Sequence, residues 1–151
     1  MIYVASSWRN LLQPTVVKFL RDAGFEVYDF KKAQQTFHWE QIHPKWKDWD
    51  AKTYRKVLNH RYVQLAYSED LYALTRSEAL VMVTPCGNSA GIEFGYACGM
   101  GKKCAIFLGN GDPETMHRMT ANIFTELDDL AKWCGEAYIR RAHEILHPFD
   151  L

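Results

Sequence analysis

The sequence predicts a single α/β domain, residues 1 to 151, built on a mostly parallel sheet of five strands. Short, almost continuously apolar runs alternate with helically spaced segments along the chain. Polar residues and glycines crowd just after those apolar runs, where the carboxyl edge of a parallel sheet opens to a ligand.

The elements follow in order. "IYVA" (2 to 5) reads as a strand ended by Ser6 and Ser7, and "LLQPTVVKFLRDAG" as a helix closed by Gly24. "FEVYDF" (25 to 30), "ALVMVTP" (79 to 85) and "KCAIFL" (103 to 108) give three more strands, with helical patterns between them. A short fifth, roughly "NIFTE" (122 to 126), precedes a last helix that begins near Leu127. Strands this apolar need cover on both faces, so a flavodoxin- or Rossmann-like three-layer sandwich is expected. Between Phe30 and about Ala51, "KKAQQTFHWEQIHPKWKDWD" holds three tryptophans and a proline without a steady period, and is read as a long functional loop. The tail "AYIRRAHEILHPFDL" continues the final helix until Pro148 stops it.

Composition narrows the function. Eighteen basic and eighteen acidic residues cancel, which disfavours a nucleic acid polymer or an anionic membrane as partner and favours a small molecule. Cys86, Cys98, Cys104 and Cys134 form no C-x-x-C pair, and three of them sit among small or aliphatic neighbours, which points to reduced thiols and a cytoplasmic location. No run reaches the ~20 apolar residues of a membrane span, and no signal peptide follows Met1, so a soluble, unprocessed protein is expected.

The densest chemistry lies in "CGNSAGIEFGYACGMGKK" (86 to 103). Gly87 permits a tight turn, Ser89 is the expected helix cap, and Ala90 and Gly91 leave the first amides open to an anion. The turn lacks a Walker lysine and the G-x-G-x-x-G pattern, and a capped helix start needs no ligand. Glu93 follows four residues after Ser89, where the helix dipole favours an ionised carboxylate. Its neighbours Ile92, Phe94, Gly95, Ala97, Cys98, Gly99 and Met100 are small or apolar, so the helix is expected to pack into the core, and a carboxylate held there needs a partner or a task. A second acid, Asp70, falls in the helix "SEDLYALTRSEA" before the third strand, whereas Glu69 and Glu78 beside it are expected to be solvated. Two carboxylates facing one substrate point to glycosidic chemistry, one attacking and the other handling the proton.

"SEDLYALTRSEALVMVTPCGNSAGIEFGYACGMGKKCAIFL", with "MIYVASSWRN" at the start, resembles the nucleoside 2-deoxyribosyltransferase family and its relatives, the 2'-deoxynucleoside 5'-monophosphate N-glycosidases. The resemblance implies that Glu93, in the G-x-E-x-G helix, is the nucleophile at C1' of the sugar. It implies that Asp70, with Ser77 and Glu78 completing its pattern, positions and protonates. The turn "CGNSAG" lacks the aspartate that holds a free 5'-hydroxyl in the transferases, whereas Ser89, Ser7 and Arg9 match the residues that bind a 5'-phosphate in the hydrolases. Gly87, Asn88 and Gly91 complete the expected substrate-binding set. No cofactor or metal is called for, and the resemblance implies a homodimer or higher homo-oligomer, with "DPETMHRMT" in the place of a segment that reaches the neighbouring subunit. Tyr3, Phe37, Trp39, Trp46 and Trp49 are candidates to stack on the base or shut out water, and each tryptophan is equally readable as packing at the base of the loop or against a partner subunit. The preferred base, and whether water or a nucleobase is the acceptor, stay open.

Two other readings compete. "HEILH" (143 to 147) is a literal zinc-protease signature, but Pro148 ends its helix and four residues remain for a third ligand, so it reads better as a solvated helix end. A nucleotide sensor on the same fold, binding without turnover, is the third; retention of both acids argues against it.

Overall fold

The structure, a computed structural model, describes residues 1–146, and the side chains of the last helix as far as Tyr138. β1 (Ile2–Ala5) leads into α1 (Gln13–Asp22), and β2 (Val27–Asp29) into a long connection. The helices α2 (Ala51–Val57) and α3 (Arg61–Arg76) then feed β3 (Ala79–Val83). α4 (Asn88–Gly99), β4 (Lys103–Phe107), β5 (Ile123–Phe124) and α5 (Leu127–Leu146) complete the chain. All four strand pairings are parallel, in the order β2-β1-β3-β4-β5. That order is the flavodoxin-like arrangement, and it places a topological switch between β1 and β3. Among the described residues no helix is long and apolar enough to cross a membrane.

Alternation along the strands divides the core into two layers. Ile2, Val4, Val27, Val81 and Phe107 face α1 and α5, where Val16, Leu20, Leu130 and Cys134 close over them. Tyr3, Ala5, Leu80, Met82 and Ile106 face α3 and α4, covered by Ala73, Leu74, Ala90, Phe94 and Ala97. Each fully buried Leu or Ile of this kind contributes about 1.5–3 kcal/mol.

Several expectations change in detail. The second strand is shorter than "FEVYDF", because Phe25 donates its amide back to Leu20 in the turn that closes α1 around Gly24 at φ +91°. The connection after β2 is ordered by 3-10 turns at Phe30–Lys32, Trp39–Gln41 and Trp46–Asp48. Its aromatics pack on one another, with Trp39 against Phe37, Trp46, Trp49 and Tyr54 at centroid distances of 4.9 to 6.4 Å. Neither neighbouring acid is simply solvated. Glu69 accepts the amides of Gln34 and Gln35, fastening the loop to α3, and Glu78 accepts from the Met1 ammonium and the Tyr138 hydroxyl. All four cysteines are free, Cys104 and Cys134 buried and Cys86 and Cys98 half-buried.

Candidate active site

The carboxyl ends of β1 and β3 are stitched together at the switch point. Asn10, buried just after β1, donates through Nδ2 to the carbonyls of Val83 (3.2 Å) and Pro85 (2.9 Å), while its Oδ1 accepts the amides of Leu12 and Gln13. Ser6 Oγ donates to the same Val83 carbonyl at 2.7 Å. Gly109, after β4, lies so close to this turn that a Cβ there would meet the Thr84 carbonyl oxygen at 2.3 Å. Only a residue without a side chain fits that approach.

From this platform the two segments read from the sequence project side by side. Ser7 is half-buried, Arg9 is exposed, and the Arg9 amide donates to Ser7 Oγ at 3.3 Å. The helix after β3 begins two residues earlier than expected: Gly87, not Ser89, is the cap, with no side-chain bond across it. Ser89 is therefore the second helical residue, and its exposed hydroxyl is available to a ligand. Extended backbone at Gly87 suits the cap position without any side-chain acceptor, which leaves the leading amides unclaimed. Gly87, Asn88 and Gly91 are exposed, and a Cβ at either glycine would meet nothing within 4 Å, so these glycines keep the helix start bare rather than relieve a clash.

Below the mouth, on the α3/α4 side of the sheet, the two acids approach each other. Asp70 and Glu93 are both half-buried, and the charge of Asp70 acts on the Glu93 carboxyl. Burial, reinforced by Asp70 and only partly offset by the Tyr3 hydroxyl, pushes the Glu93 pKa up to about 8. This corrects the expectation that the helix dipole keeps Glu93 ionised at neutral pH. Glu93 is the sixth residue of α4, beyond the first turn where the dipole acts strongly, and desolvation outweighs it. The helix is also less enclosed than its composition implies, since Ala90, Phe94 and Ala97 are buried while Ile92 is 72% exposed.

Asp70 is likewise raised by burial and by Glu69, against the lowering effect of a 2.7 Å hydrogen bond from the Tyr28 hydroxyl. Tyr28 stacks on Tyr3, its register partner across β1 and β2, with ring centroids 5.0 Å apart and an interplanar angle of 21°. The Tyr3 hydroxyl is fully buried and completes no hydrogen bond of good geometry, but it faces Glu93 closely enough for each to alter the other's titration. Both phenols are held well above their usual range, first by burial and then by the neighbouring carboxylates. Neither acid forms an ion pair among the described residues. Ionising both carboxyl groups costs repulsion in a poorly solvated site, so the charge of Asp70 favours a proton on Glu93.

Sequence reading passed over Asn10, Tyr28 and Trp8. Trp8 meets Phe30 edge-on at 5.2 Å and lies 4.3 Å from His38, which puts an aromatic cluster in the chain between Ser7 and Arg9. Strand alternation is the signal that puts Tyr3 and Tyr28 on one face once β1 and β2 are neighbours. Among the described residues no group of three His, Cys, Asp or Glu is arranged to hold a metal. The "HEILH" segment falls outside the residues whose side chains are described, and His147 outside the described residues altogether.

A solved 2-deoxyribosyltransferase from the psychrotolerant bacterium Bacillus psychrosaccharolyticus, described as a biocatalyst for the synthesis of antiviral and antitumoral nucleosides, superposes on 86% of this chain and 89% of its own, with a TM-score of 0.57 and 18% identity. The two share a fold. No protein-family model and no curated protein matches the sequence.

Proposed function

We propose that the protein cleaves or transfers the N-glycosidic bond of 2'-deoxynucleosides, taken as 5'-monophosphates, through a glycosyl ester on Glu93. The observation that carries this reading is the effect of Asp70 on Glu93 beside the stacked tyrosines, with Glu93 on the helix whose unclaimed start follows the turn that Asn10 ties to the exit of β1. A Glu93 carboxylate oxygen attacks C1' as the bond to the base nitrogen breaks. The bonding pair leaves on that nitrogen, which takes a proton from Asp70. Water, or a second base, then attacks C1', gives up its proton to Asp70, and frees Glu93. The absence of a 2'-hydroxyl eases the positive charge that develops on the sugar.

A 5'-phosphate suits the mouth because Gly87, Asn88 and Ser89 supply amides and a hydroxyl with no acid among them, Gly91 keeps the helix start bare, and Arg9 adds a cation. The shared fold with a 2-deoxyribosyltransferase supports the reading, while the choice of base and acceptor belongs to experiment. Association of two or more copies is part of the proposal. Tyr62, Leu65 and Tyr72 on α3, with Ile92 and Tyr96 on α4 and Met100 just after it, leave apolar side chains exposed, and analytical ultracentrifugation tests it. Incubating a panel of deoxynucleosides and their 5'-monophosphates and measuring released base tests the reaction. A slow 2'-fluorinated analogue should leave a sugar adduct on the peptide containing Glu93. Release of no base from any member, or an adduct elsewhere, refutes the reading.

A further inference from the structure

We propose that Tyr28 is the positioning residue of Asp70, fixing through its hydroxyl which carboxyl oxygen of Asp70 carries the proton delivered to the substrate. This rests on the glycosidic reading above. Tyr28 lies on the edge strand β2, and its hydroxyl reaches Asp70 Oδ1 at 2.7 Å. A phenol that donates to Oδ1 occupies a lone pair of that oxygen, so a proton on Asp70 resides on Oδ2. The Asp70 side chain is then held by one oxygen and works with the other.

The ring supplies the rigidity. It stacks on Tyr3 at 5.0 Å, and strand register, not a flexible loop, sets the offset of the two phenols. Each tyrosine thus attends one acid, Tyr28 at Asp70 and Tyr3 at Glu93. The groups that face Asp70 are Tyr28 from β2, Glu69 from its own helix, Glu93 from α4 and Tyr3 from β1. Among them only Tyr28 favours the ionised form of Asp70 by donating a hydrogen bond.

The test is Tyr28→Phe, which keeps the ring on Tyr3 and deletes the hydroxyl. If the active form of the acid pair holds one proton, kcat/KM rises through an acid limb governed mainly by Asp70 and falls through a limb near pH 8 governed mainly by Glu93. Losing a bond that favours ionised Asp70 moves the acid limb to higher pH and leaves the alkaline limb in place. We expect kcat to drop by roughly five- to fiftyfold, with KM within about twofold, because a misdirected proton donor slows the chemistry without changing ground-state contacts. In an Asp70→Asn background the same change should cost nothing further. In parallel, 13C NMR of aspartate-labelled protein should show the Asp70 midpoint raised in Tyr28→Phe. A dead Asp70→Asn beside a Tyr28→Phe variant with unaltered rate and acid limb overturns the role of Tyr28 and leaves the reaction standing. An unaltered protein that releases no base defeats the reaction itself and proton delivery with it, whereas an unmoved NMR midpoint in a protein that does release base overturns the role of Tyr28 alone.

Discussion

The two faces of the same sheet are built to different ends. Towards α1 and α5, β1 and β2 present Ile2, Val4 and Val27, and the one buried acid there, Asp29, is bound by Gln13 Nε2 at 2.8 Å and by the Lys31 amide. One residue along, the same strands present Tyr3 and Tyr28 towards α3 and α4, beneath Asp70 and Glu93. On the first face the carboxylate is satisfied and serves to hold α1. On the second, two carboxyls stand without an ion-pair partner among the described residues, both titrating above their ordinary range. On the proposed function, stability and chemistry are thereby separated by the two-residue period of a strand, so substitutions on one face should be nearly silent on the other.

The largest break of that contrast is Glu93→Gln. Volume is kept and the attacking charge removed, so turnover should fall by several orders of magnitude, with nucleotide binding retained in a calorimetric titration. The fold should gain from the change. Because the folded pKa of Glu93 is raised, its contribution to stability is full below about pH 4.5 and is lost as pH rises towards about 8. Chemical denaturation should therefore find Glu93→Gln increasingly more stable than the parent across that window, level above it and matched below. A variant that loses stability there makes Glu93 a structural acid after all.

Leu20→Ala makes the opposite demand. Leu20 is fully buried against β1 on the inert face, and its truncation should cost about 2–5 kcal/mol in urea unfolding while kcat of the folded protein is unchanged. A matching fall in kcat would show that the faces communicate. Arg9→Ala sharpens the comparison at the mouth. It should weaken a deoxynucleoside monophosphate by roughly ten- to a hundredfold and hardly touch the nucleoside, and equal losses would remove the phosphate from the proposal. Smallest is the joint change His143→Ala and His147→Ala, expected to leave turnover nearly intact in the presence or absence of a chelator; a zinc-dependent loss would revive the protease reading.

What was legible in the sequence follows the same division. Long-range order in this fold comes from apolar strands and capped helices, which are local patterns, so the five strands and the last helix at Leu127 were readable within a residue or two. Strand ends were less so. The residues beyond Asp29 and Val83 keep apolar character while their hydrogen bonds pass to turns. At the site, Glu93 stood out as an acid in apolar company, Asp70 was unremarkable by itself and gained its place from the resemblance, and the electrostatic state of neither could be read. A sequence shows that Glu93 is near a helix start, whereas burial and the charge of Asp70, which reverse the effect of the dipole, depend on how α3 lies against α4. Tyr28 was invisible for a similar reason. A tyrosine in a strand is ordinary until its register partner and the acid across from it are known. Asn10 looked like one polar loop residue among several, although every hydrogen-bonding position of its amide is in use.

Asn10 carries an implication for how such a mouth can be changed. By tying the exit of β1 to the turn before α4 through a single side chain, it makes the Ser7–Arg9 segment and the Gly87–Gly91 segment one rigid jaw rather than two interchangeable parts. Grafting either segment alone from another protein would bring in its ligand groups but misalign them unless the asparagine and both of its carbonyl acceptors came too. If this edge binds the substrate as proposed, its specificity is not modular: the unit to exchange is the pair of strand exits together with the amide that clasps them.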